Sequence, residues 1–193
     1  MRRTLWCVIA LMTFSAPAFA VNLVANGGFE TGNFANWTQS GDTGFTGVDN
    51  FAVHSGSYAA FFGPVNSTGF ITQTLATTAG ESYDLSFYLK NDDSFNDNFF
   101  GVWWDGIELG SFTNLDSFDW TEGVSGAPLV ASSNATELTF GFYNPPSYFY
   151  LDDVVVESAG VAPVPEPTSL VLLGGGLLAG AVVLRRRRRT HLG

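Results

Sequence analysis

Cysteine and histidine are nearly absent from the part of the chain expected to fold. The one cysteine among the 193 residues, Cys7, lies close to the N-terminus, and His54 is the one histidine between residues 21 and 160. A chain without its first twenty residues would therefore have neither a disulfide nor a thiol nucleophile. No G-x-S-x-G or H-E-x-x-H pattern occurs. These absences argue against nucleophilic and zinc-dependent catalysis, and we predict that the protein is not an enzyme.

Basic residues are equally scarce in the middle of the chain. Residues 21–160 contain seventeen acidic side chains and one basic side chain, Lys90, which gives a formal charge of −16. Such a surface repels a phosphate backbone, so a nucleic acid partner is excluded. Cations, calcium in particular, are the expected partners of this charge.

The N-terminus has the pattern of a secretory signal peptide. Arg2 and Arg3 precede an apolar run over residues 5–14, and Ala18-Phe19-Ala20 follows as a small-residue cleavage site. The apolar run is too short for a membrane-spanning helix. We predict a signal peptide over residues 1–20, which signal peptidase removes after Ala20.

Residues 21–160 have the composition of an all-β domain. They are rich in Gly, Asn, Ser, Thr and aromatic residues, and short alternating runs are separated by turn residues. Asp105-Gly106 is the clearest hairpin turn. The fold class predicted is an antiparallel β-sandwich of the jelly-roll type, with a barrel as the alternative. Strands are predicted over residues 23–25, 57–62, 69–75, 82–90, 99–104, 107–112, 136–143 and 149–157.

The C-terminal segment predicts a linker, a membrane span and a basic tail. Residues 161–168 are proline-rich and cannot join a sheet. Residues 169–184 are apolar and uncharged, and five arginines begin the tail over residues 185–193. The uncharged stretch from Pro167 to Leu184 has eighteen residues, and a helix of that length spans ~27 Å, close to the hydrocarbon thickness. Because arginines stay in the cytoplasm, residues 21–160 are expected outside the membrane.

The tail resembles a known sorting signal. Pro165, Glu166 and Pro167 are followed by an apolar segment and an arginine block. This arrangement is similar to the PEP-CTERM signal of exopolysaccharide-producing Gram-negative bacteria. The resemblance implies that an exosortase, a membrane protease, recognises the motif. It also implies an inner-membrane-anchored precursor that is passed to the cell surface or extracellular matrix.

The middle of the chain resembles galactose-binding-like jelly rolls related to carbohydrate-binding modules. The stretch Asn26-Gly27-Gly28-Phe29-Glu30, the runs over residues 71–80 and 83–87, and the last strand over residues 149–156 have this pattern. The resemblance implies a structural calcium between the first loop and the last strand. Glu30 matches the first-loop ligand, and Asp152 or Asp153 matches the other. Strand alternation predicts that only one member of the aspartate pair points to the site.

Exposed aromatic rings are the candidate ligand-binding groups, because flat rings stack on sugar faces. Alternation sends Trp103 and Trp104 to opposite sides of one strand, so one is expected in the core and the other outside. Tyr148, with Tyr143 and Tyr150, forms a second candidate set around an Asn-Pro-Pro turn.

The function predicted is that of an exported surface or matrix protein whose non-catalytic domain binds polysaccharide or serves as a matrix component. A secreted glycan hydrolase is the first alternative, and carboxylate pairs such as Asp116 and Asp119 would have to serve it. A purely structural adhesive domain is the second alternative. Fold alone does not choose between these functions.

Overall fold

Alternating apolar and polar residues build the central strands of this protein. In the segment Gly-Phe-Ile-Thr-Gln-Thr-Leu, every second residue is buried, as expected for a strand with one face on the core. The computed structural model describes residues 21–92 and 97–160, which belong to one unit. The predicted signal peptide, linker, membrane span and basic tail lie outside the described residues. The described residues contain no helix that could span a bilayer.

The described residues contain eleven strands. The strands are β1 (Thr38–Gly41), β2 (Thr46–Asp49), β3 (Ala59–Phe62), β4 (Gly69–Leu75), β5 (Ser82–Asn91), β6 (Phe99–Trp104), β7 (Ile107–Thr113), β8 (Phe118–Val124), β9 (Leu129–Val130), β10 (Thr136–Tyr143) and β11 (Phe149–Ser158). Sheet I has the order β1-β4-β10-β6-β7, and sheet II has the order β2-β3-β11-β5-β8 with β9 beside β5. Every strand pair is antiparallel. The predicted antiparallel all-β jelly roll is confirmed.

Aromatic side chains fill the space between the two sheets. Phe62 of sheet II stacks on Phe142 of sheet I with ring centroids 3.8 Å apart and an interplanar angle of 7°. Phe140 is completely buried and contacts Phe87 edge-on at 5.2 Å. Offset and edge-on ring pairs add to the burial of apolar area. The sandwich therefore holds together without a disulfide.

The predicted strands differ from the observed strands at the sheet edges. Residues 23–25 form no strand. The Leu23 amide donates a hydrogen bond to the Val156 carbonyl at 2.8 Å, but the return bond from Val156 goes to the side chain of Asn22 and not to a backbone carbonyl. The Oδ1 atom of Asn22 accepts hydrogen bonds from the amides of Val24 and Val156 at 2.9 and 3.0 Å. Strands β1, β2, β8 and β9 were not predicted. Their residues are largely exposed or half-buried, so they lack an alternating pattern.

The Asp105-Gly106 turn joins β6 and β7 as predicted. Both residues have positive φ, 52° and 77°, which is the conformation of a type I′ hairpin turn. The indole of Trp104 is buried in front of the turn, and its Nε1 donates a hydrogen bond to the Val130 carbonyl at 3.1 Å.

Candidate functional site

A continuous row of rings crosses the outer surface of sheet II. We call this row the aromatic face. The residues come from four strands and two loops: Phe61 of β3, Tyr88 of β5, Trp120 of β8, Tyr150 of β11, and the loop residues His54 and Tyr148. Strands β3, β11, β5 and β8 are neighbours in the sheet, which explains how residues distant in sequence meet here.

The rings of the aromatic face contact one another one after the next across the sheet. His54 stacks on Tyr88 at a centroid distance of 3.6 Å and lies 5.5 Å from Trp120. Trp120 is 6.5 Å from Tyr150. Tyr148 joins Tyr150 at 6.3 Å and Phe61 at 5.7 Å. The indole of Trp120 is half-buried, so part of its surface remains available to a ligand.

Charged groups lie among these rings. Lys90, the cross-strand partner of Tyr150, places its Nζ 3.0 Å from Asp92 and 3.5 Å from Asp119. The hydrogen bond to Asp92 raises the pKa of Lys90 above its usual value. Burial, followed by the charge of Asp92, raises the pKa of Tyr150 to about 12. The lysine thus stays charged and the phenol stays neutral at physiological pH.

The predicted calcium ligands converge on one loop. A Cβ added at Gly28 would lie 3.6 Å from Oδ1 of Asp152 and of Asp153, and 3.8 Å from Cγ of Glu30. Glu30 Oε1 accepts hydrogen bonds from the amides of Ser57 and Tyr58 at 2.9 and 3.1 Å. We call Glu30, Asp152 and Asp153 the carboxylate cluster.

Both aspartates of the cluster contact the same loop, whereas strand alternation predicted that only one of the pair would point to the calcium site. The Oδ2 atom of Asp152 accepts hydrogen bonds from the amides of His54 and Ser55 at 3.0 and 3.2 Å. Asp153 contacts His54 Nδ1 at 2.7 Å and accepts a hydrogen bond from Ser55 Oγ at 2.7 Å. The pairing of β11 with β5 shifts register after Asp152, and Asp153 has a φ of 49°. This bulge redirects a side chain that alternation would send away.

Asp152 is a buried carboxylate without a strong cationic partner. Its side chain is 0% exposed, and burial raises its pKa to about 6 despite the three amide hydrogen bonds it accepts. Lys90, the one basic residue between 21 and 160, pairs instead with Asp92 and Asp119. Oxygen donors around a buried negative charge suit calcium. However, the described residues include no group of three His, Cys, Asp or Glu side chains arranged to hold a metal.

The three residues predicted to contact a ligand do not share a surface. Trp104 is buried in the core, whereas Trp103 is half-buried on the outer surface of sheet I, in agreement with strand alternation. Tyr148 belongs to the aromatic face of sheet II. Trp103 and Tyr148 therefore lie on opposite sides of the sandwich and cannot line one site.

The sequence did not predict that Trp120, Tyr88 and His54 belong to the aromatic face. Trp120 lies in an edge strand whose neighbouring residues are exposed, so no periodicity marks it. His54 is brought to Tyr88 by Asp153, which is 99 residues distant along the chain. The one sequence signal that could have identified this site is that Trp120 is an isolated tryptophan in an acidic segment.

An apolar groove of about 510 Å³ opens between β7 and β8. Phe87, Phe100 and Phe112 line it, and Glu108 is the one charged residue on its wall. A groove with so few polar groups lacks the hydrogen-bond partners that sugar hydroxyls require. It is a poorer candidate for a sugar site than the aromatic face.

Comparison with known proteins found two kinds of similarity, one for the C-terminal motif and one for the sandwich. The family model of the PEP-CTERM protein-sorting motif matches residues 163–189. The sandwich is similar to the family 61 carbohydrate-binding module TmCBM61, solved with β-1,4-galactotriose. That likeness has a TM-score of 0.58 and 20% identity over 70% of this chain and 97% of the module. It is also similar to the family 22 module of Clostridium thermocellum Xyn10B, with a TM-score of 0.53 and 16% identity over 72% and 98% of the chains.

A curated relative is endo-1,4-beta-xylanase A of Thermoanaerobacterium saccharolyticum, which is 26% identical over 166 residues. The match covers 76% of this chain but only 14% of the xylanase. The fold is thus that of carbohydrate-binding modules. The sorting motif, which contains the predicted Pro165, Glu166 and Pro167, indicates an exported protein that is processed at the membrane.

Proposed function

We propose that this protein is a non-catalytic polysaccharide-binding protein and that the aromatic face is its binding surface. The row of rings from Tyr88 through Trp120 to Tyr150, with Lys90 and Asp119 beside it, is the observation that carries the proposal. Rings supply apolar contact with the faces of sugar rings, and charged groups bind hydroxyls. The similarity to modules whose names refer to carbohydrate supports the same conclusion.

Native electrophoresis of residues 21–160 in gels containing different polysaccharides tests this proposal. Reversible retardation in at least one gel is expected, and replacement of Trp120 by alanine should weaken it. Phe51→Ala is the matched control, because Phe51 is 85% exposed and is not part of the aromatic face. Release of reducing ends would identify a hydrolase instead. Mobility unchanged in every gel would leave the purely structural adhesive domain as the remaining alternative.

We further propose that the carboxylate cluster binds a structural calcium ion, and that binding would draw together three carboxylates that are not arranged around a metal without it. The ion would neutralise the buried charge of Asp152, while Glu30 and Asp153 supply further oxygens at the same loop. A ligand of the native state raises the melting temperature by mass action. Glu30→Ala should reduce that gain. Identical melting curves with calcium and with a chelator would contradict the proposal.

The C-terminal motif is proposed to direct an exosortase-type protease, with delivery to the surface or matrix of a Gram-negative cell. The apolar segment over residues 169–184 would hold the precursor in the inner membrane before cleavage. Epitopes placed after Ala20 and at Gly193 test this in a host with an exosortase. Separation of the two epitopes is expected for the native motif, and Glu166→Ala with Pro167→Ala should retain both on one membrane-bound band. If both epitopes stay on one membrane-bound band for the native motif as well as for the variant, the segment is a simple membrane anchor.

A further inference from the structure

The outer surface of sheet I has a second group of flat rings. Trp103 lies between Phe70 and Phe99, with centroid distances of 5.9 and 6.2 Å. Trp103 and Phe99 are in β6 and Phe70 is in β4, on either side of β10. All three rings are half-buried. We call these three residues the sheet I platform.

Two paired glycines explain how the indole of Trp103 lies close against the sheet. Gly101 and Gly141 are cross-strand partners in β6 and β10. A Cβ at Gly101 would lie 2.4 Å from Trp103 Cη2, and a Cβ at Gly141 would lie 2.9 Å from Trp103 Cζ3. The indole therefore rests on bare backbone, with its opposite side directed away from the sheet. Side chains at either glycine would tilt the ring and remove the flat surface.

A polar depression continues from the platform on the same surface. Thr139, the cross-strand partner of Trp103, is hydrogen-bonded through its hydroxyl to Thr72 at 2.9 Å. Beyond Thr72 lies a depression of about 670 Å³. The polar residues of its lining include Asn36, Thr38, Thr72, Thr74 and Glu137. A flat ring beside hydroxyl, amide and carboxylate groups combines the two contacts that a sugar chain needs.

We propose that this surface is a second polysaccharide site, so that one domain binds two chains on opposite sides. The inference rests on the proposed function but concerns different residues. The ligand class is a neutral polysaccharide, because Glu137 is the charged group at the depression and the strongly acidic domain repels polyanions. Two sites facing away from each other would cross-link polysaccharide chains, which is an activity suited to a matrix component.

The test uses the full chain in a mild detergent and two readouts for a neutral polysaccharide. Retardation in a polysaccharide gel reports binding, and light scattering of the polysaccharide solution reports cross-linking. Trp103→Leu keeps an apolar cover over the glycines but removes the flat ring. It should abolish the increase in scattering while leaving retardation through the aromatic face. The double change of Trp103→Leu with Trp120→Ala should weaken retardation at least about tenfold more than Trp120→Ala alone.

Two further variants keep the test independent of folding. Trp103→Phe preserves a ring and should retain cross-linking. Thr74→Lys places a long side chain at the exposed rim of the depression, away from the core, and should abolish cross-linking as Trp103→Leu does. Melting curves of all variants identify any that fail to fold.

The failures of the two proposals are distinguishable. If Trp103→Leu and Thr74→Lys behave as wild type in both readouts while Trp120→Ala loses binding, the second site is refuted and the aromatic face stands. If Trp103→Leu alone removes all binding and Trp120→Ala has no effect, the sheet I site stands and the aromatic face fails. If wild type is not retarded by any neutral polysaccharide, both are refuted.

Discussion

Replacement of Trp120 by alanine is the sharpest perturbation of the aromatic face. Its indole is half-buried against His54 and Tyr150, so a stacked sugar would cover much of the remaining surface. If the ligand buries roughly 80 Å² of this indole, at ~25 cal/mol per Å², the contact contributes about 2 kcal/mol. That free energy corresponds to a roughly thirtyfold increase in Kd.

Isothermal titration of residues 21–160 with an oligosaccharide of the retained polysaccharide measures this change. Trp120→Phe keeps a smaller ring and should lose less affinity than Trp120→Ala. Because β8 is an edge strand with mostly exposed residues, the melting temperature should change little. An unchanged Kd for Trp120→Ala would refute the assignment of the aromatic face. A large fall in melting temperature would show that the indole is structural instead.

Three other perturbations test the metal site and the fold. Burial raises the pKa of Asp152 to about 6, so without metal its ionisation costs stability as pH rises through that value. The calcium-induced gain in melting temperature should accordingly be large near pH 7.5 and small near pH 5, and equal gains would contradict the site. Phe140→Ala removes a fully buried ring and should lower the free energy of unfolding by about 3–5 kcal/mol in urea titrations; a loss below about 1 kcal/mol would contradict its central place in the core. Gly106→Ala adds a Cβ that meets no atom within 4 Å at a φ of 77°, so only backbone strain of about 1 kcal/mol is expected in the same assay, and a stabilised variant would exclude the observed turn.

The sequence predicted the central strands well because they have one buried face. The predicted bounds of β4, β6 and β10 agree with the structure, and each of these strands pairs on both sides. Edge strands such as β1 and β8 were not predicted, because both of their faces are largely solvated. Periodicity reports burial, so it is weakest where burial is incomplete.

The candidate sites were predictable only in part. Glu30 and the aspartate pair were identified by resemblance, but the bulge that turns Asp153 toward His54 depends on the register between β11 and β5. The aromatic face unites loop and strand residues through long-range pairing, which a sequence pattern does not encode. The separation of Trp103 and Trp104 to opposite sides of the strand was predicted, because alternation along one strand is a local property. Which of the two is buried was not predicted, because that depends on how the strand packs in the sandwich.

The indole resonances of residues 21–160 provide the most direct test of polysaccharide binding. This region contains four tryptophans. Two have buried indoles whose Nε1 atoms donate hydrogen bonds within the protein, Trp37 to Asn26 and Trp104 to Val130, so they serve as internal references. In a titration followed by ¹⁵N–¹H NMR, binding at the aromatic face should shift the Trp120 indole signal saturably and leave both reference signals in place. Saturable binding that leaves the Trp120 signal unmoved, or no change with any polysaccharide fragment, would contradict the account.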